Sequence, residues 1–288
     1  MPADTSKVAT TESTPPSLRE ATKPDLLTIA AIAVVATVIA NFIHEGLGHG
    51  GMCVATGGQP LAISTVHFEC SADTRWVAAG GTLANLIFGA LFWGAARAVK
   101  QSASALWRYF FWLLMTLNLF EAAGYFLFSG MGNIGDWAMV VAGWQPGWAW
   151  RVGLTALGAV TYFILFVPLC VRELRPFLGK DATMRVRRAR QLTLVPYVTS
   201  GILSCAAGAL NPVGPLLILI SAGASSFGGH SGLAWMSSLL YGPRIPSTEL
   251  QMSEIKRAWG WVIAAVILAI VFLLELGPGV KFHSGLRG

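Results

Sequence analysis

Charge is what this sequence has least of. Only 12% of its 288 residues are Asp, Glu, Lys or Arg, against 54% hydrophobic, and the mean hydropathy is +0.60. Soluble domains carry roughly 25% charged residues, so a globular domain in water is excluded as the main architecture. Cysteine is sparse too. Four residues with no Cys-x-x-Cys pair exclude a cysteine zinc cluster and a multi-disulfide framework. No stretch outside the apolar runs is long enough for a separate soluble domain, and no internal repeat is visible. A serine-nucleophile motif is also missing: Gly228-Gly229-His230-Ser231-Gly232 has neither the Gly-x-Ser-x-Gly order nor a strand-to-helix context.

What the chain does have is apolar length. A bilayer core about 30 Å thick needs roughly 20 apolar residues per spanning helix, and runs of that kind occupy 26–50, 76–96, 106–130, 150–171, 192–222 and 257–276. The expected fold class is therefore an all-α integral membrane protein with about six transmembrane helices, its membrane domain covering 26–276 between tails at 1–25 and 277–288. The first tail is rich in Thr, Ser, Pro, Lys and Glu; it has too little to bury and is expected to be disordered. The run from Leu26 leads into polar residues at His44 instead of a small-residue cleavage site, so the first helix is expected to be retained. Residues 51–75 alternate Leu61, Ile63, Val66 and Phe68 with Thr and Ser, which predicts a short hairpin after helix one. Asn211-Pro212 and Gly214-Pro215 interrupt the fifth run, giving a kinked helix or two half-helices.

A net charge of +6 does not point to nucleic acid, because the positive residues gather in Arg172, Arg175, Lys180, Arg185, Arg187, Arg188 and Arg190, between two apolar runs. That is the pattern of a cytoplasmic loop under the positive-inside rule. Alternation from it places the first tail, 97–107 and the C-terminus inside, with 15 of the 20 Lys and Arg, and places 51–75, 131–149 and 223–256 outside. The lipid bilayer is one expected partner, and the lack of a basic amphipathic start favours a prokaryotic plasma membrane. Cys53 and Cys70 both fall in the outer 51–75 connection, where a disulfide can form if that face is oxidising; Cys170 and Cys205 read as small apolar residues. Tryptophans near helix ends, such as Trp76, Trp148 and Trp259, read as interfacial anchors.

The most informative segment is Asn41-Phe42-Ile43-His44-Glu45-Gly46-Leu47-Gly48-His49-Gly50, two histidines and a carboxylate at the end of an apolar helix. Ionisable groups at membrane depth cost several kcal/mol and by default mark function. The pattern is H-E-x-x-x-H, one residue longer than the H-E-x-x-H zinc signature in which two imidazoles face one metal and the Glu acts on its water. At about 100° per residue, positions five apart diverge by about 140° on a regular helix. A single π-bulge realigns them, and Gly46 and Gly48 tolerate the distortion. The form is similar to the zinc motif of dipeptidyl peptidase III.

Two histidines leave a catalytic zinc one protein ligand short. Asp136 and Glu121 are the acidic candidates, Glu121 also reading as a partner that holds an imidazole N–H or Asn85, while Asp136 also reads as a cap of the next helix. Depth favours convergence, since at 1.5 Å per residue Glu121 and Asn85 each lie about 14 Å from the outer ends of their helices, near the level of His44. Asn118, one turn before Glu121, joins the polar candidates. His67 and His230 fall in connections and His283 in a tail, where solvated histidines are the usual case.

With these residues in place, the chain resembles the site-2 protease family of intramembrane zinc metallopeptidases over roughly residues 26–140. His44-Glu45 and His49 stand where that family carries its zinc histidines and catalytic Glu. Ala79-Gly80-Gly81-Thr82-Leu83-Ala84-Asn85 looks like its Gly-Pro-x-x-Asn element, and Gly135-Asp136 stands where an aspartate completes the metal. The chain departs from the pattern in its longer histidine spacing, in an Asp outside a Leu-Asp-Gly context, in the missing Pro, and in charges that put His49 near the outer face. The resemblance implies Zn2+ held by His44, His49 and Asp136, Glu45 as the proton-transfer group, Asn85 on the substrate backbone or oxyanion, and a membrane-protein or peptide substrate. Two other classes stay open: a transporter whose intramembrane acids and histidines bind or relay an ion along a broken helix, and a metallopeptidase-like scaffold without catalysis.

Overall fold

The computed structural model describes residues 23–99, 105–179, 182–212, 221–240 and 254–282. Six helices among them are long and apolar enough to cross a membrane: α1 Leu26–Ala55, α2 Arg75–Ala98, α3 Ala105–Gly132, α5 Gly147–Phe177, α6 Ala182–Ala209 and α7 Trp259–Leu276, with a short α4, Asp136–Val140, after α3. The all-α membrane class expected from hydropathy is the class observed. Helix faces that would be stripped of water in a soluble protein are bare here, as at Ile263, Ile267, Ile270 and Leu274 on α7. Such faces suit lipid.

α3 is the central helix, buried along most of its length. Tyr109, Trp112, Leu113, Leu117 and Phe120 lie in the main core, and the polar tips of its large aromatics are satisfied by neighbouring carbonyls: Tyr109 donates to Leu192 O and Trp112 Nε1 to Cys170 O. Close helix approach depends on small residues, the usual solution where lipid removes the hydrophobic drive between helices. Gly158 of α5 faces Leu127 and Ala123, and Gly89 of α2 faces Leu119.

The hairpin expected after helix one is present as β1 Pro60–Ile63 and β2 Phe68–Cys70, paired antiparallel, and a Cys53–Cys70 disulfide ties it to the end of α1. A third strand, β3 Val280–Lys281, pairs with the other edge of β1, giving the order β2-β1-β3. This corrects two expectations. Residues 277–282 are not a tail, and the chain beyond α7 lies on the same face as 51–75, opposite the basic cluster.

The reason is an additional passage. α6 and α7 run in the same direction: at their far ends Gly277 packs on Ala207 and Leu210, while Arg257, before α7, pairs with Asp25 at the start of α1. The chain between them must return, and it does so through 224–240, built from short π, 3₁₀ and α pieces at Ala224–Gly228, Gly229–Ser231, Gly232–Trp235 and Met236–Leu240. Phe227 sits against Gly201, Gly229 against Gly124 and Gly232 against Phe120, and Tyr162 pins the passage by donating to Gly229 O and accepting from Gly232 N–H. The connection expected to lie outside is thus partly buried inside the bundle. α6 also starts earlier than the 192–222 run, taking Arg185 to Arg190 into its first turns, and ends before Asn211-Pro212. Gly214-Pro215, the first 22 residues and His283 lie outside the described residues. Lys256 and Arg257 join the basic face, leaving Arg75, Arg151 and Lys281 as the described cations on the sheet face.

Candidate metal centre

α1 changes its winding where its sequence becomes polar. Ile43–Gly50 is a π-helix inside an otherwise α-helical run, and it places His44 and His49, five residues apart, on one side. Their Nε2 atoms are 3.2 Å apart. Gly48 makes this local geometry compatible with close packing, since a Cβ there would stand 2.5 Å from Gly81 Cα on α2.

The third group arrives from the turn after α3. Asn133 and Gly135 both have positive φ, 54° and 84°, and reverse the chain so that Asp136 opens α4 facing back into the bundle. Asp136 Oδ2 lies 3.3 Å from His44 Nε2 and 3.4 Å from His49 Nε2. Asp136 is the first residue of its helix, with Gly135 in the capping position, so the capping role does not describe it. Burial pushes its carboxyl up, and the facing imidazoles of His49 and His44 more than offset this, holding it below the ordinary carboxylate range.

These spacings suit a small tetrahedral cation. Ligand atoms 2.0–2.1 Å from a tetrahedral centre lie about 3.3–3.4 Å from one another, and the three observed separations are 3.2, 3.3 and 3.4 Å. Among the described residues this trio is the group of His, Cys, Asp and Glu whose ligand atoms converge closely enough for one ion. The far ring nitrogen of His49 is held as a metal-bound histidine requires. His49 Nδ1–H donates to Val77 O at 2.7 Å, which leaves Nε2 as a lone pair. His44 Nδ1 is 3.3 Å from the Asn85 side-chain nitrogen, and Asn85 Oδ1 is buried without a hydrogen-bond partner.

Around this trio the other polar residues divide. Glu45 is buried between the two histidines in sequence and leaves Oε2 without a hydrogen-bond partner. Asn85 touches His44, and Glu121 lies beside Asn85 and 4.0 Å from His230, so Glu121 stands behind the histidine instead of completing the trio. Asn118 does not come to the site; its amide donates to Leu114 O on its own helix. Two participants were missed. Tyr125 stacks on His44 with centroids 4.5 Å apart, a placement its spacing of four from Glu121 on α3 signals. Gly81 leaves the space itself: a Cβ there would lie 2.6 Å from His44 Nε2 and 2.7 Å from His49 Nε2. His230 is buried, not solvated, whereas His67 is exposed as expected.

Comparison of the chain with family models, curated proteins and solved structures finds no match, so the argument for function rests on this geometry.

Proposed function

We propose that this chain is an intramembrane zinc metallopeptidase that hydrolyses peptide bonds of membrane-embedded or membrane-adjacent substrates. The observation that carries the reading is the trio of His44 Nε2, His49 Nε2 and Asp136 Oδ2 at tetrahedral spacing, with Glu45, next to His44 in the chain, buried and its Oε2 without a partner. Two imidazoles and one carboxylate are a donor set typical of catalytic zinc, and they leave a fourth position for the reaction. Bound there, zinc supplies a Lewis acid that polarises a carbonyl and acidifies water. The chain's own groups do the rest. Glu45 takes the proton of the attacking water and returns it to the departing amine. Val77 O holds the His49 imidazole in one tautomer, and Asn85 packs against Nδ1 of His44. A helical substrate presents its scissile carbonyl only after local unwinding, since its own hydrogen bonds shield it.

The same reading places the sheet face outside the cytoplasm of a prokaryotic plasma membrane, with the start of α1 inside. The charge bias of the two faces and the Cys53–Cys70 disulfide support that orientation. The test is elemental analysis of the detergent-purified chain: about one zinc per chain, absent from the H44A/H49A double variant, is expected from a site of this type. Glu45→Gln should keep the metal and lose peptidase activity by roughly 10²–10⁴-fold. Metal without any Glu45-dependent hydrolysis would leave a scaffold. The broken passage at 224–240 favours a second reading, an ion-binding transporter, whose flux would survive chelation of zinc.

A further inference from the structure

A second polar cluster lies behind the metal trio, where the broken passage meets α3. Glu121 and His230 are buried, with 4.0 Å between Oε2 and Nε2. His230 rests against the Leu117 carbonyl, yet neither ring nitrogen completes a hydrogen bond of ordinary geometry. An imidazole buried in this way carries a cost that an apolar residue would avoid. The backbone is shaped to bring it there: Gly229 lies against Gly124 with no room for a Cβ on Gly124, and Tyr162 clamps the residues on both sides of His230. Glu121 in turn lies beside Asn85, and Asn85 meets His44 Nδ1. The groups form a continuous line from the coordinating ring to the broken passage.

We infer that His230 is a positioning residue for the metal centre, holding the Glu121 carboxylate against Asn85 so that Asn85 fixes the orientation of the His44 ring. The inference rests on the metal reading of His44, His49 and Asp136 and adds a residue from the far half of the chain to it. Partners one step removed from a metal set its affinity because they fix ring angle and tautomer, and their loss typically costs about 10–100-fold in binding. The line also gives the broken passage a purpose. A continuous apolar helix at 224–240 would satisfy the bilayer equally well and would bring no imidazole to Glu121.

The experiment compares the full chain in detergent with His230→Gln, Glu121→Gln, the double variant and Tyr109→Phe. Zinc affinity is read by chelator competition, and the visible spectrum of the cobalt-loaded protein reports ligand geometry directly. His230→Gln and Glu121→Gln are each expected to retain one metal, to weaken it by about tenfold or more, and to alter the cobalt spectrum. The double variant should be no weaker than the worse single variant, because both act through one route. Tyr109→Phe removes a buried hydrogen bond to Leu192 O away from the line and should lower thermal stability while leaving affinity and spectrum unchanged. Wild-type affinity and spectrum in a folded His230→Gln chain would overturn the inference, as would an equal loss in Tyr109→Phe. If His230→Gln does not fold, Glu121→Gln reads the same line from its other end. Failure of the unaltered chain to bind metal would remove the metal reading itself, a distinct outcome from metal that binds indifferently to residue 230.

Discussion

Gly81→Ala places one methyl group where the His44 and His49 nitrogens proposed to hold zinc converge. The added Cβ would stand 2.6 Å from His44 Nε2 and Cε1 and 2.7 Å from His49 Nε2, whereas ordinary contact begins at 3.4 Å. Relief therefore requires displacements of about 0.7–0.8 Å at each ring, against a tolerance of about 0.2 Å in metal–ligand distances. Relief by separating the helices would give up the close backbone approach of Gly48 and Gly81. Overpacking of this kind costs roughly 1–3 kcal/mol in a close-packed interior, and here the movement falls on two of the three ligands. Gly94→Ala is the matched control, on the same helix with nothing within 4 Å of its Cβ, where replacing a mid-helix glycine contributes about 0.5–1 kcal/mol of stability. Zinc content and thermal unfolding of the two purified variants decide the matter. Gly94→Ala should match or exceed the unaltered chain in both; Gly81→Ala should lose zinc. A Gly81→Ala chain holding zinc as tightly as Gly94→Ala would refute the placement of the site.

Further outcomes are expected elsewhere. Removing the Cys53–Cys70 disulfide by serine substitution, which opens a loop of sequence separation 17, should cost about 3 kcal/mol in unfolding stability; unchanged thermal unfolding would count against its structural role. At the opposite face, the Arg257 guanidinium donates to Asp25 and holds its carboxyl at about 2, below the 3.8 of the unfolded chain. A group depressed in this way contributes stability that is fully present above pH 3.8 and lost as pH falls through about 2. Asp25→Asn should flatten acid unfolding across that window, as seen in pH-dependent melting. For topology, reporters fused ahead of α1 and after β3 should report opposite sides of the membrane; activity of both on one side would exclude the return passage at 224–240.

Much of this architecture is legible in sequence because the bilayer makes few demands and makes them strictly. Five helix positions follow from apolar length, and the π-wound segment follows from requiring His44 and His49 to meet across one residue too many. Asp136 is legible as an acid just after a helix, though only the positive φ values at Asn133 and Gly135 turn it inward. The passage at 224–240 escapes hydropathy for a physical reason: packed closely against neighbouring helices over part of its length, it needs small residues there more than apolar ones, and Ser225, Ser226, Gly228 and Gly229 read as a loop. The burial of His230, the side on which the chain ends and the pairing of β3 were lost with it. Spacing could not show that the Asn118 side-chain nitrogen donates to Leu114 O on its own helix.

The pairing of β3 with β1 also has a bearing on biosynthesis. The proposed ligand residues all precede residue 137, so a nascent chain emerging from its N-terminus carries the whole donor set long before β3 is translated. Until then one edge of β1 stands open beside the maturing centre, a template for any extended segment nearby. Val280 and Lys281 close it last, and a ribosome stalled within α7 would hold a protein with its donor set complete and its sheet unsealed.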